Sequence, residues 1–105
     1  MKPVVVLTTV GAGFDARPLA RELIESRLAA CVNVVPAIES IYRWNEKVEE
    51  DAEKLLLIKT VEERLDELQA TLLARHPYDV PEFVVIAIDD VRGAYREWLI
   101  RSVSS

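Results

Sequence analysis

Hydrophobic and polar residues alternate through 32–44, so that Val32, Val34, Pro36, Ile38, Ser40, Tyr42 and Trp44 fall on one face. A period of two, rich in β-branched and aromatic residues, predicts a strand. A return strand over about 47–59 ends in the continuous apolar run 55–58. Residues 28–60 are thus expected to form one long β-hairpin. Thirteen extended residues span roughly 43 Å at about 3.3 Å each. A domain of this length has a radius of gyration near 13 Å and is roughly 33 Å across. The hairpin must therefore bend, with Pro36 as the candidate, or project its tip onto another subunit. Tyr42 and Trp44 near that tip are amphipathic rings of the kind found at interfaces, so an oligomer is expected.

The rest of the chain divides cleanly around the hairpin. The apolar run 3–10 predicts a buried strand that breaks at Gly11-Ala12-Gly13. Residues 16–28 carry Leu19, Ala20, Leu23, Ile24, Arg27 and Leu28 at helical spacing, with Asp15 as the expected N-cap and Pro18 in the tolerant first turn. Thr60 and Glu63 match a capping box ahead of a second helix with Leu65, Leu68, Leu72 and Leu73 on its apolar stripe. That helix should stop before His76-Pro77, because the residue before proline is pushed out of helical geometry. The segment 76–81 reads as a stiff loop, 83–88 as a wholly apolar central strand, and Asp90 as the cap of a last helix with Val91, Tyr95, Trp98 and Leu99. The order strand, helix, strand, strand, helix, strand, helix predicts an α+β fold. It is a ferredoxin-like βαββαβ sandwich with a long central β-hairpin and an extra C-terminal helix, in one domain over 1–105. Both main helices would cover one sheet face. The hairpin, the last helix or neighbouring subunits would have to cover the other.

Charge narrows the partners. Thirteen basic against eighteen acidic residues leave a net charge of −5, which argues against nucleic acid. The third strand, Glu53 to Lys59 in sequence, also lacks the aromatic residues that RNA-recognition domains of this topology place there. One cysteine permits no intrachain disulfide, and a cytoplasmic location is expected. No run approaches the roughly twenty apolar residues that span a bilayer, and no signal peptide is expected. Gly11-Ala-Gly13-Phe-Asp15-Ala16 scans as a dinucleotide fingerprint. The chain is too short for the usual Rossmann domain, however, and Asp15 would face the phosphates.

Candidate chemistry is sparse. Cys31 is either a small buried hydrophobe or a soft copper ligand, and the one imidazole, His76, either complements a helix end or joins it. Lys59 and Glu82 are surface charges unless they line a cleft between subunits with Tyr42, Trp44, Tyr78, Tyr95 and Trp98. No nucleophile, base and orienter can be assembled, so no catalytic residue is assigned and an enzyme is not expected.

The segments Leu28-Ala-Ala-Cys31-Val-Asn33, Pro36, Ser40-x-Tyr42-x-Trp44, Glu53, Lys59-Thr60, His76-Pro77-Tyr78, Pro81-Glu82 and Tyr95-x-x-Trp98 together resemble the CutA family of divalent-cation tolerance proteins. The resemblance covers nearly the whole chain. It implies a ferredoxin-like homotrimer with hairpin strands paired between subunits. It also implies a link to copper or another divalent cation, with no obligatory cofactor, no nucleic acid and no membrane. Carried over residue by residue, it marks Cys31 and His76 as metal-interacting candidates. Tyr42, Trp44, Lys59, Tyr78 and Glu82 are the ligand-cleft candidates. The alternative it leaves open is a signalling or regulatory trimer that binds a small ligand or a partner protein in intersubunit clefts. The family's glycine two residues after the tryptophan is Glu46 here. Glutamate resists positive φ, so a bulged or longer hairpin end is expected in place of a two-residue turn at Asn45-Glu46.

Overall fold

Two residues of the chain, Leu56 and Ile58 on the third strand, mark where the sheet meets its helices: both are fully buried. The computed structural model describes residues 1–104. Its elements are β1 (Pro3–Gly11), α1 (Arg17–Glu25), β2 (Cys31–Trp44), β3 (Lys47–Val61), α2 (Leu65–Arg75), β4 (Val84–Ala87) and α3 (Gly93–Ser102). A single 3-10 turn, Glu62–Arg64, leads into α2. The sheet order is β2-β3-β1-β4 with every pair antiparallel. This is the expected ferredoxin-like arrangement.

Register decides which face each side chain takes. Val4, Val6, Thr8 and Val10 of β1 lie opposite Thr60, Ile58, Leu56 and Lys54 of β3. This face packs against Leu19 and Leu23 of α1 and Leu68 and Leu72 of α2. Fully burying each such side chain is worth about 1.5–3 kcal/mol. A smaller cluster of Ala30, Val61, Leu99 and Val103 seats α3 at one end of the sheet. The opposite face carries Val5, Leu7, Leu55 and Leu57, half-buried, with Val35, Val84 and Ile86 exposed.

The hairpin both bends and projects. Its register shifts between Val35 and Ile38, where two residues, Pro36 and Ala37, face one on β3. Proline cannot donate to a ladder, so a bulge is where a strand tolerates it. The extra residue reverses the alternation. Val32 and Val34 pair with Ile58 and Leu56 on the helix face. Ile38, Ser40, Tyr42 and Trp44 pair with Glu53, Asp51, Glu49 and Lys47 on the other. The single face predicted for 32–44 is thus two half-faces joined at Pro36. Beyond the bulge the tip extends a molecule 44 Å long and only 26 × 23 Å in section.

Several local expectations give way to tertiary structure. The hairpin end is a two-residue turn after all, with Trp44 paired to Lys47 and both Asn45 (φ 50°) and Glu46 (φ 64°) left-handed. The right-handed twist of the flanking strands selects this turn, and it overrides glutamate's preference. α1 ends at Glu25, three residues short of its apolar stripe. Arg27 turns left-handed (φ 59°) and the Leu28 N–H returns to the Leu23 carbonyl at 2.9 Å. Asp15 is not the flanking residue of α1, which is Ala16, yet its Oδ1 still accepts the Arg17 N–H at 3.1 Å. The Thr60–Glu63 capping box does not form. Thr60 is still in β3 and donates to the Leu28 carbonyl at 2.7 Å, while Glu63 accepts from the Lys2 N–H. Asp90 pairs with Arg92 and caps nothing, and Val91 lies outside α3. The apolar run predicted as a central strand is the short edge strand β4, its Val84, Val85 and Ile86 all exposed. An apolar run signals burial but not what supplies it.

Glu46 gives a direct test of the turn. A non-glycine residue in this conformation costs about 1–2 kcal/mol, partly offset by the roughly 0.4–1 kcal/mol by which glycine frees the unfolded chain. Glu46→Gly is expected to raise unfolding stability by about 0.5–1 kcal/mol in denaturant titration. A fall would mean that the Glu46 side chain holds a contact worth more than the strain.

Candidate functional site

The loop after α2 is held in place by His76. Pro77 forces His76 out of the helix (ψ 136°), and its ring turns inward against β1. Nδ1 accepts the Tyr78 N–H at 3.1 Å, so the proton sits on Nε2. From there it reaches the Thr9 carbonyl at 2.9 Å, with Thr8 Oγ1 at 3.1 Å. Burial holds the His76 pKa below its ordinary value, against the opposing pull of the Thr9 hydrogen bond and the Glu53 charge. The Tyr78 ring packs on the imidazole with centroids 5.0 Å apart. Its hydroxyl then donates to Glu53 Oε2 at 2.6 Å. Gly11 lies opposite Glu53 in the sheet, and a Cβ there would sit 3.8 Å from Tyr78 Oη.

The hairpin supplies the facing wall. Tyr42 donates a short hydrogen bond to Asp51 across the strand pair, which pushes its pKa up to about 12. Tyr78 is raised as well, by burial first and then by the bond to Glu53. Burial also raises Glu82, with the Glu53 charge adding to the effect. Between hairpin and loop lies a cavity of about 760 Å³ lined by Tyr42, Trp44 and Tyr78 and by Asp51, Glu53 and Glu82 among others, with no lysine or arginine in its wall. That volume suits a small molecule. A shallower hollow along α1 is walled by Asp15–Arg17 and Arg21–Glu25 ion pairs that neutralise one another.

The sequence-derived candidates therefore separate into two places. Tyr42, Trp44, Tyr78 and Glu82 meet in the cavity, with His76 behind its wall. Lys59 lies at the far end of β3, roughly 20 Å from Glu53 at about 3.3 Å per residue. It faces Cys31 across the ladder and stands 5.8 Å from the centre of the Tyr95 ring. Cys31 is half-buried, with Asn33 Oδ1 3.5 Å from its sulfur. Cys31 and His76 are not brought together within one subunit. Cys31 aligns with Lys59 and Val5, whereas His76 touches Thr8 and Thr9 farther along β1. Among the described residues no three His, Cys, Asp or Glu side chains converge on a point that would hold a metal ion. Asp79 also lines the cavity. Glu53 was marked in the sequence only by the family resemblance, and Asp51 was not singled out. Only the bulge at Pro36 and the resulting register reveal that Glu53 and Asp51 face Ile38 and Ser40 on the cavity side.

A family model described as CutA1 divalent ion tolerance protein matches residues 4–102. A divalent-cation tolerance protein CutA of Thermus thermophilus is 48% identical over 95 residues, 90% of this chain and 92% of the relative. A chloroplastic CutA 1 protein of rice is 48% identical over 99 residues, 94% of this chain but 56% of the relative. This chain thus spans little more than half of that longer protein. Among solved structures, the Thermus thermophilus divalent cation tolerance protein superposes with a TM-score of 0.91 at 45% identity, covering 97% of this chain and 99% of that one. The rice CutA1 crystal structure gives 0.90 at 46% identity, covering 99% of this chain and 95% of that one.

Proposed function

The chain belongs to the CutA1 divalent ion tolerance protein family, and from that premise we propose that it is a cytoplasmic homotrimer serving divalent-cation tolerance, which binds copper or another divalent cation weakly and catalyses nothing. Support for assembly comes from the projecting hairpin tip, the uncovered sheet face and the exposed apolar edge strand β4. Support for a reducing compartment is the single unpaired thiol. The one imidazole is engaged by the Tyr78 N–H and the Thr9 carbonyl, which supports a reading without histidine-based nucleophilic catalysis.

Cys31 carries the metal reading. It is the chain's one thiol and is not fully buried, and thiolate suits copper. His76 does not fit as its partner, since both ring nitrogens are occupied. One thiol per subunit supports weak binding, with the cation as cargo. Native mass spectrometry with and without copper(II) tests this. We expect a trimer carrying about three ions, one per thiol, and loss of those ions in Cys31→Ala with the trimer intact. A trimer that takes up no copper would remove the metal reading.

A second reading is favoured by one observation, the gathering of Tyr42, Trp44, Tyr78 and Glu82 around a single cavity. In this reading the trimer is a regulatory protein, and its clefts bind a small ligand.

A further inference from the structure

The chemistry of the cavity wall selects among ligands. Its charged groups are all acidic, and Glu53 is the most confined of them, with 7% of its surface exposed. Its one hydrogen bond comes from the neutral Tyr78 hydroxyl. The neighbouring Lys54 cannot neutralise it, because alternation sends that side chain to the other sheet face, where Nζ donates to the Phe14 carbonyl at 2.7 Å. No ion pair among the described residues involves Asp51, Glu53 or Glu82. A confined carboxylate without a countercharge is costly.

The size of the missing cation follows from geometry. A bare metal ion needs several donors converging on one point, and among the described residues no three acidic, thiol or imidazole groups do so. The carboxylates, Asp79 among them, are spread around a cavity whose wall also carries the rings of Tyr42, Trp44 and Tyr78 beside smaller residues such as Ser40, Ala52 and Val80. Aromatic faces attract organic cations, and carboxylates at separate points accept the N–H bonds of an ammonium group.

Resting on the ligand-cleft reading, we propose that this cavity binds a small aliphatic amine in its ammonium form, with Glu53, Glu82 and Asp51 supplying the countercharge and Tyr42, Trp44 and Tyr78 the walls. Glu82 is raised by burial first and by the Glu53 charge second, and an ammonium between the two carboxylates would relieve that second effect.

The test is calorimetric titration of the purified protein with 1,4-diaminobutane, 1,4-butanediol and succinate, which share a four-carbon chain and differ in charge. The diamine is expected to bind saturably, to weaken as salt rises, and to lose about tenfold or more in affinity in Glu82→Gln and in Asp51→Asn. Neither the diol nor the dianion should bind or compete. If the diol or succinate binds as well as the diamine, the ammonium inference is overturned while the ligand cleft stands. If none of the three binds, this inference is overturned. Screening a wider set of neutral and anionic metabolites then decides the cleft reading separately. Diamine binding that both variants leave unchanged would place the amine elsewhere and overturn the proposal.

Discussion

Ile41→Asp combined with Val48→Asp should convert the proposed trimer to monomer. Both residues lie on the projecting part of the hairpin, diagonal to one another, on the face opposite Tyr42 and Trp44. They are 66% and 65% exposed in the single chain. In a monomer such positions tolerate substitution within about 0.5 kcal/mol, because nothing around them must be desolvated. If the tip packs on a neighbour, each aspartate becomes an unpaired charge in an apolar contact. A buried charge left uncompensated typically costs about 3–5 kcal/mol. Two such sites in every subunit exceed what a hairpin contact supplies. Sedimentation at several concentrations would read the outcome, with circular dichroism to confirm that the fold is retained. A variant that remains trimeric and unchanged on dilution would show that the tip is free in the assembly.

That prediction starts from what the sequence made legible. A period of two over thirteen residues predicted a strand, and its length against the domain diameter predicted that the hairpin would bend or project. It does both. Element order was readable because each stripe or apolar run is bounded by glycine, proline or a change of period. What escaped was anything decided by pairing. Pro36 and Ala37 form a bulge only because β3 offers one residue opposite them, and that bulge alone moves Tyr42 and Trp44 to the same face as Asp51 and Glu53. β4 was read as central from its composition, yet its place at the sheet edge depends on topology. Thr60 and Glu63 have the spacing of a capping box, but the ladder to β1 holds the chain extended through Val61. The two-residue turn at Asn45-Glu46 shows strand twist outweighing a side chain's local preference.

The candidate site shows the same division. Residue type named Tyr42, Trp44, Tyr78 and Glu82 of the cavity wall, since rings and carboxylates near a hairpin and a proline-rich loop are suited to recognition. Residue type did not reveal that Lys59 and Cys31 stand at one end of the sheet and the cavity at the other. Nor did it reveal that His76 faces inward. In sequence a lone histidine at a helix end reads first as a complement to the helix dipole and as a ligand only with a partner. Here it is a positioning residue, and it connects β1 to the loop that carries Tyr78.

His76→Phe should therefore destabilise the protein by roughly 2–4 kcal/mol. Phenylalanine fills the ring's space but leaves the Tyr78 N–H and the Thr9 carbonyl without their partner. Each group left unpaired costs about 1–3 kcal/mol, less where water reaches it. The effect should extend to the cavity. Without the Nδ1 acceptor the loop loses its anchor, and the Tyr78 hydroxyl is no longer held on Glu53. The same residue fixes an acid limit. Burial holds the folded pKa of His76 below its ordinary value of 6.5, so the unfolded chain takes up the proton first as pH falls. The histidine's contribution is complete above about pH 6.5 and declines below it, toward the folded pKa. Protonated Nδ1 would also present a second donor to the Tyr78 N–H, which converts the anchor into a repulsion. Denaturant titrations of wild type and His76→Phe at pH 7.5 and at pH 5 separate the two contributions. Wild type should lose stability between these values by more than the variant does, since only wild type carries the imidazole. Equal acid sensitivity in both proteins, or a loss below about 0.5 kcal/mol at neutral pH, would show that the loop is held by Pro77 and the packing of Tyr78 rather than by the hydrogen bonds of His76.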